Sequence, residues 1–376
     1  MKQRLLIKRI VVFLLALSIF VFSLGCYYIC AKRIVGLAPL QNEQECQLKQ
    51  AGRNTVDNLI DYLEYLWNCS IYGQDFLSHI DSVVTFCASG EINSNQVICG
   101  EKRWLFYKSK NDGDPIEDYE GTNRYSEKEL QQVLKSTQEF QTNIEQKNIK
   151  PIIVVAPNKE NVYTEYMPDI YKHNPISSTD ILIDFLRSNG IRIISLKSDL
   201  LENCKDFQLY YRYDTHWNQL GAYVGLKNIL KEWNITLPEL REQAIQYTEL
   251  RNQFHDAGSD DLARMIGMLF LFNDEKEYRV RETPEMDWAI YDEEQNQGKL
   301  SHFYNEEADQ DSTVLLLGDS FRTAMVPALR STFRDVYVLR KGFYETGMLE
   351  EICPDYLIVE YVERYSRELE YISSIR

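Results

Sequence analysis

The sequence predicts an α/β fold in which a parallel sheet is covered by helices on both faces. Three observations carry that prediction. The apolar runs Ile149–Ala156, Ile191–Leu196, Val314–Leu317, Val336–Leu339 and Tyr356–Val362 have the length of strands. They are almost continuously hydrophobic, as strands buried on both faces must be. Helical patterns lie between most of them, and alternating strands and helices pack as parallel crossover units. The chain has 376 residues, 44% hydrophobic and 26% charged, which is globular composition with length for a layered core.

In chain order, Ile10–Cys30 comes first: 21 residues without a charge. About 20 apolar residues rising roughly 1.5 Å each cross a hydrocarbon core of about 30 Å, so the run reads as a transmembrane anchor. Lys2, Arg4, Lys8 and Arg9 precede it and only Lys32 and Arg33 follow. The more basic flank stays inside, which makes residues 1–9 a cytoplasmic tail and puts the rest outside the cell membrane. The alternatives are a cleaved signal peptide, whose apolar core is normally about 7–15 residues, and lipidation at the weak box Ser23-Leu24-Gly25-Cys26. Residues 31–95 read as a helical stalk, with Leu59, Ile60, Leu63, Leu66 and Trp67 on one helical face.

Residues 96–376 read as the main domain. Val97–Tyr107 holds two apolar runs around a glycine-containing turn, a hairpin pattern. Asn111–Asn123 is polar and reads as a loop. Ser126 with Glu129 three residues on is a capping box, and Leu130, Val133, Leu134 and Ile144 follow at helical spacing. Ile181–Leu186 is helical and stops at Asn189-Gly190; Gly221–Trp233 is a further helix. The acidic interval 240–305 does not alternate and reads as a long insertion over the sheet edge, a length that is often functional.

Charge and cysteine narrow the class. The first 33 residues hold six positive charges and no acid, so the remainder has 35 basic against 57 acidic residues and carries −22. Nucleic-acid binders draw affinity from Lys and Arg on phosphates, so nucleic acid is excluded as partner. The same charge disfavours strongly anionic polymers unless one groove is basic. Cys46, Cys69, Cys87, Cys99, Cys204 and Cys353 lie beyond the span and permit up to three disulfides, or bridges mixed with buried thiols. No Cys/His spacing points to structural metal, and no cofactor is called for.

Two segments carry chemistry. Val314–Leu317 runs into Gly318-Asp319-Ser320, and a helical pattern of Met325, Leu329 and Phe333 follows. Ser320 then sits at a strand-to-helix turn on the C-terminal sheet edge, where open α/β folds place ligands and free helix N–H groups can hold an oxyanion. The alternative is an ordinary turn with Ser320 as N-cap. The second segment is Tyr213-Asp214-Thr215-His216-Trp217-Asn218. A serine nucleophile needs a base, and the base needs an acid to fix its tautomer. In an extended segment Asp214 and His216 share a face, so the chain can supply Ser320, His216 and Asp214. The alternative is a structural cap on the next helix. A metal at Asp214 and His216 needs further ligands, with His255, Asp256 and Asp260 as the remaining candidates; none is assigned.

At these residues the chain resembles a known group. Asp214–Asn218 (DTHWN) with Gly221-Ala222-Tyr223, followed by Leu315–Phe321 (LLLGDSF), is similar to the SGNH hydrolase-like family of alginate O-acetylation proteins (AlgX/AlgJ type) and the related DHHW proteins. Gly100–Tyr107 (GEKRWLFY), Ala156–Pro168 (APNKENVYTEYMP), Asp260–Gly267 (DDLARMIG) and Pro354–Arg364 (PDYLIVEYVER) agree in the same order. The resemblance implies an SGNH-like, flavodoxin-like sheet with the catalytic blocks permuted, because Asp214 and His216 precede Ser320. It implies Ser320 as nucleophile, His216 as general base and Asp214 as its orienting acid. Asp319, Asn158, Trp217, Arg322 and Arg364 are the oxyanion or substrate candidates. Asn158 reads also as a turn residue, and Arg364 beside Glu363 as an ion pair.

The expected function is extracytoplasmic O-acyl transfer to hydroxyls of a cell-surface or secreted polysaccharide through an acyl-serine. The resemblance implies a membrane acyltransferase partner that supplies the acyl group. The alternatives are a carbohydrate acetylesterase with the same residues, and a glycan-binding or scaffold module of a polysaccharide export complex. Fold alone does not choose among them.

Overall fold

A computed structural model describes residues 94–243, 245–248, 260–268, 271–272, 274–280 and 300–376, with Phe86 and Ile92. The expected tail (1–9) and anchor (10–30), and all but a few residues of the expected stalk (31–95), lie outside the described residues. Among the described residues no helix is long and apolar enough to cross a membrane.

Strands β1 (Val97–Cys99) and β2 (Leu105–Tyr107) form the expected antiparallel hairpin. β3 (Lys150–Ala156) and β4 (Ile193–Ser195) belong to the main sheet. β5 (Ile245–Thr248) and β6 (Glu277–Val280) make a separate antiparallel pair. β7 (Ser301–Tyr304), β8 (Gln310–Gly318), β9 (Phe333–Arg340) and β10 (Tyr356–Val362) complete the sheet, whose order is β4-β3-β10-β8-β9-β7. Every neighbouring pair is parallel except β7 with β9.

The helices in chain order are α1 (Pro115–Glu120), α2 (Glu127–Glu145), α3 (Lys159–Val162), α4 (Ser178–Ser188), α5 (Lys197–Asn203), α6 (Gln219–Lys231), α7 (Asp261–Met265), α8 (Val326–Thr332) and α9 (Met348–Ile352). Alternate strand residues feed two cores. Ile152, Val154, Leu316, Val336 and Ile358 pack with Leu226 and Ile229 of α6 and Leu329 of α8. Ile153, Val155, Leu315, Leu317 and Val359 pack with Phe140 and Ile144 of α2 and Leu182 and Leu186 of α4. Burying each such side chain stabilises by about 1.5–3 kcal/mol, so a strand apolar on both faces holds only between two helical layers. The Ser126 capping box forms in both directions, contributing about 1 kcal/mol at the start of α2.

Several expectations need correction. The loop expected at 111–123 contains α1, because Asp114, at φ 35°, caps the Glu117 N–H and Pro115 occupies the first turn. Phe333 does not end a helix; it is buried at the start of β9. Glu363–Ser374 is a 3-10 segment whose Leu369 and Ile372 reach the second core, a period of three that a search for 3.6 passes over. The interval 240–305 is not confined to a sheet edge: β7 is itself an edge strand, and α7 lies beside the candidate site. Cys99, Cys204 and Cys353 are free thiols, while Cys46, Cys69 and Cys87 lie outside the described residues.

Candidate active site

β8 ends at Gly318, and Ser320 opens a 3-10 turn, Ser320–Met325, that leads into α8. The cap of this turn is Asp319, not Ser320. Asp319 Oδ1 accepts the Phe321 N–H at 2.9 Å, and Oδ2 accepts the Val362 N–H of β10 at 2.8 Å. Both oxygens are thus committed to backbone, which ties the turn to the neighbouring strand. A carboxylate that accepts cannot donate to an oxyanion, so Asp319 is a brace. Ser320 itself is exposed, its hydroxyl not used for capping. Arg322 is buried and donates to the Asp319 carbonyl, again fastening the turn. Beneath it, Glu360 Oε2 accepts the Asp319 N–H at 3.1 Å. Burial, and then the Asp319 charge, push the Glu360 carboxyl well above its ordinary pKa.

His216 arrives from a bent loop. The extended segment expected at Asp214–His216 is not formed. Tyr210 and Trp217 pair across an isolated antiparallel bridge, and the Tyr211 N–H donates to the His216 carbonyl at 3.2 Å. Asp214 Oδ1 closes the bend by accepting both the His216 N–H at 3.0 Å and Nδ1 at 2.6 Å. Nδ1 therefore carries the proton, and Nε2 is left as acceptor, 2.7 Å from Ser320 Oγ. Asp214 is fully buried, whereas the His216 side chain is 25% exposed. Burial pulls the His216 pKa down, but the Asp214 charge and hydrogen bond, with the Asp261 charge, overcome it and leave the ring above its ordinary value.

Three further side chains fix this loop. Trp217 Nε1 donates to the Phe321 carbonyl at 2.8 Å, joining the residue after His216 to the residue after Ser320. Trp217 is thus a buried clamp, with no edge presented to a substrate. Lys159, at the start of α3, is buried and donates to the carbonyls of Tyr211 (3.1 Å), Arg212 (3.2 Å) and Asp214 (2.7 Å). Burial lowers its pKa to about 8, against the raising effect of Glu160, Asp261 and Asp214. From the insertion, the Asp260 N–H donates to Asp214 Oδ2 at 2.9 Å. Asp261 accepts the Thr215 N–H at 2.7 Å and its hydroxyl at 2.5 Å.

The remaining candidates divide. Asn158, just past the end of β3, is buried, and its side-chain Nδ2 and Oδ1 have no hydrogen-bond partner among the described residues. Arg364 does not pair with Glu363. Glu363 turns inward to the Asn158 N–H (2.9 Å), Asn161 Nδ2 (2.8 Å) and the Ser177 hydroxyl (2.7 Å). The Arg364 guanidinium lies over the rings of Phe321 (5.7 Å), Tyr107 (5.6 Å) and Tyr365 (4.8 Å), and its charge reaches His216. Ligand atoms of Asp214, His216 and Asp261 lie within 4.8 Å of one another, a spacing a metal could use. These groups already bond each other and Thr215. His255 and Asp256 lie outside the described residues.

Comparison with known proteins adds the family. The sequence model described as ALGX, SGNH hydrolase-like domain, acetyltransferase AlgX, matches residues 97–351. The chain belongs to the AlgX SGNH hydrolase-like family. That range takes in both the Asp214–His216 loop and the Ser320 turn of this AlgX-like domain. No curated protein matches the chain. Among solved structures, Bacillus cereus PatB1 is 14% identical with a TM-score of 0.47, over 73% of this chain and 97% of that one. The O-acetyltransferase domain of Pseudomonas putida AlgJ is 16% identical with a TM-score of 0.46, over 75% and 99%. A DHHW family protein from Eubacterium siraeum is 13% identical with a TM-score of 0.47, over 74% and 96%.

Lys159 and Asp261 stand inside the shared motifs, and nothing in the local sequence gives them a role. The signal available was their position in blocks shared with the AlgX-like family. Their targets, backbone carbonyls and a threonine far along the chain, leave no trace in local pattern.

Proposed function

We propose that this protein is a serine-dependent O-acyltransferase that moves acetyl groups onto hydroxyls of a polysaccharide. The observation that carries the reading is the hydrogen-bonded series Ser320–His216–Asp214 at the C-terminal sheet edge of an AlgX-like domain. His216 Nε2 takes the Ser320 proton as Oγ attacks the acyl carbon. The bond from that carbon to the donor's oxygen then breaks, and the imidazolium returns the proton to the leaving alcohol. In the second half a sugar hydroxyl gives its proton to Nε2, attacks the acyl carbon, and Ser320 Oγ leaves and is reprotonated. The Ser320 N–H and the unpartnered Asn158 amide are the donors assigned to the oxyanion. In this reading the apolar run Ile10–Cys30 is a membrane anchor, the domain works on its outer side, and a membrane acyltransferase partner supplies the acyl group.

The test uses the full-length protein in detergent, an activated acetyl ester and neutral oligosaccharides, with protein and sugars followed by mass. An acetyl adduct that requires Ser320 and moves to sugar supports the reading. Adduct discharged only to water makes the protein an acetylesterase. No adduct, and turnover equal to Ser320→Ala, refutes catalysis and leaves a glycan-binding role.

A further inference from the structure

Among the described residues, α7 contacts the acid–base loop with a regularity that capping or packing does not require. The Ala263 N–H donates to the Tyr213 carbonyl at 3.2 Å, the Asp260 N–H to Asp214 Oδ2, and Asp261 accepts both donors of Thr215. Three consecutive loop residues are therefore each bonded to this short helix. A hydrophobic cluster holds it in place: Leu262, Ala263 and Ile266 pack with Val97 and Leu105 of the hairpin and with Tyr213. As a result Asp261 Oδ2 lies 3.7 Å from His216 Nδ1, on the same ring edge as Asp214.

We propose that Asp261 is a positioning residue for His216: a second carboxylate, delivered by the insertion, that orients the loop through Thr215 and adds its charge to that of Asp214. This rests on reading His216 as the base for Ser320. The ring is faced by Asp214 and Asp261, with Arg364 opposing them across Phe321. Asp261 is faced by Asp214 and His216, and its charge is also felt by Lys159 of α3. Burial and then the Asp214 charge raise the Asp261 pKa to about 6. Its charge is therefore present at neutral pH and is lost only as pH falls through about 6, so it still faces the ring when His216, held above its ordinary value by the two carboxylates, takes up a proton. A base held by two carboxylates stabilises the imidazolium that forms when Ser320 is deprotonated.

The test is the titration of the His216 ring, followed by NMR of full-length protein and assigned by loss of the signal in His216→Ala. Asp261→Asn is expected to lower the ring pKa by about one unit, since a nearby opposite charge is worth at least that. The acid limb of kcat/KM for an acetyl ester moves down with it, and kcat falls about 10-fold, about one decade of transition-state stabilisation. Asp261→Glu, which keeps the charge, restores the higher pKa. Thr215→Val deletes the hydroxyl, with its bond to Asp261 and its 3.3 Å contact with His216 Nδ1, but keeps both carboxylate charges and so should shift the ring far less than Asp261→Asn. An unchanged ring titration in folded Asp261→Asn, or the same shift in Thr215→Val, overturns the proposal. If Asp261→Asn does not fold, the wild-type ring decides. A second inflection near the Asp261 pKa supports the proposal, and a single-site curve refutes it. Absence of Ser320-dependent turnover would sink the acyl-transfer reading alone, because the ring titration needs no turnover.

Discussion

Lys159→Met separates the work of a buried ammonium from its burden. The lysine donates to three carbonyls, but Arg212 O also accepts the Leu105 N–H at 2.9 Å, so the substitution removes the lysine donor chiefly from Tyr211 and Asp214. Depriving two buried carbonyls of a donor costs about 2–6 kcal/mol. Against this, the folded protein lowers the lysine from 10.5 to about 8, a desolvation burden of about 3 kcal/mol that Met does not carry. The net loss at pH 7 is then only about 1 kcal/mol, read by urea unfolding. Between the two pKa values the unfolded chain binds more protons than the folded one, so wild-type stability rises with pH from about 8 toward 10.5. The stability gap between wild type and Lys159→Met should therefore widen by about 2 kcal/mol from pH 7 to pH 10. Activity should fall about 100-fold at either pH, because a loop shifted by about 1 Å breaks the alignment of Asp214 and His216. A gap that is equal at the two pH values would refute the assignment of a depressed lysine. Full activity in the variant would refute the loop-anchoring role.

Two other substitutions test the frame around Ser320. A Cβ at Gly318 would lie 2.5 Å from Glu360 Oε2, which is bonded to the Asp319 N–H from β10, and 2.8 Å from Arg322 Cβ in the Ser320 turn. Gly318→Ala should lose about 1–3 kcal/mol and most activity, whereas Gly342→Ala, with open space at its Cβ, should match wild type in melting and rate. Trp217→Phe removes the indole donor to the Phe321 carbonyl and leaves a cavity beside Gly225, whose Cβ would stand 3.4 Å from the ring. A loss of about 2–3 kcal/mol in denaturant unfolding is expected, with a drop in kcat larger than any change in KM; an unchanged kcat would remove the clamp from the mechanism.

Where the sequence could be read, the information was local. The strands β3, β8 and β10 are apolar on both faces, and Ser126 with Glu129 fixes the start of α2, so periodicity and capping identified them. α1 was missed because its marker, Asp114 before Pro115, sits in a segment whose polar composition reads as loop. β7 was missed because four residues, only one of them buried, carry too little alternation to register. At the site, Ser320, His216 and Asp214 were legible as residue types whose chemistry belongs together. What holds them was not. Asp319 was read as a substrate candidate, yet its two oxygens serve Phe321 and Val362. Arg364 was read as a partner of Glu363, yet the two side chains diverge, one inward and one over Phe321.

The divergence of Glu363 and Arg364 follows from where β10 ends. Val362 closes the strand, and Glu363 is buried toward α3 and α4, where Asn161 and Ser177 satisfy its carboxylate. The next residue, Arg364, turns instead over Phe321 of the Ser320 turn, which Asp319 has already bonded to Val362. The strand ends β3, β8 and β10 therefore meet at one edge with Asn158, Ser320 and Arg364 on adjacent tips, while the acid–base loop is fastened there by Trp217, Lys159 and Asp261 from three directions. Ser320, on a strand tip, is positioned by the sheet. His216, on a bent loop, has no such support, and each of these three contacts supplies part of it. That is why the buried lysine and the second carboxylate lie on the side of His216 rather than on the side of Ser320.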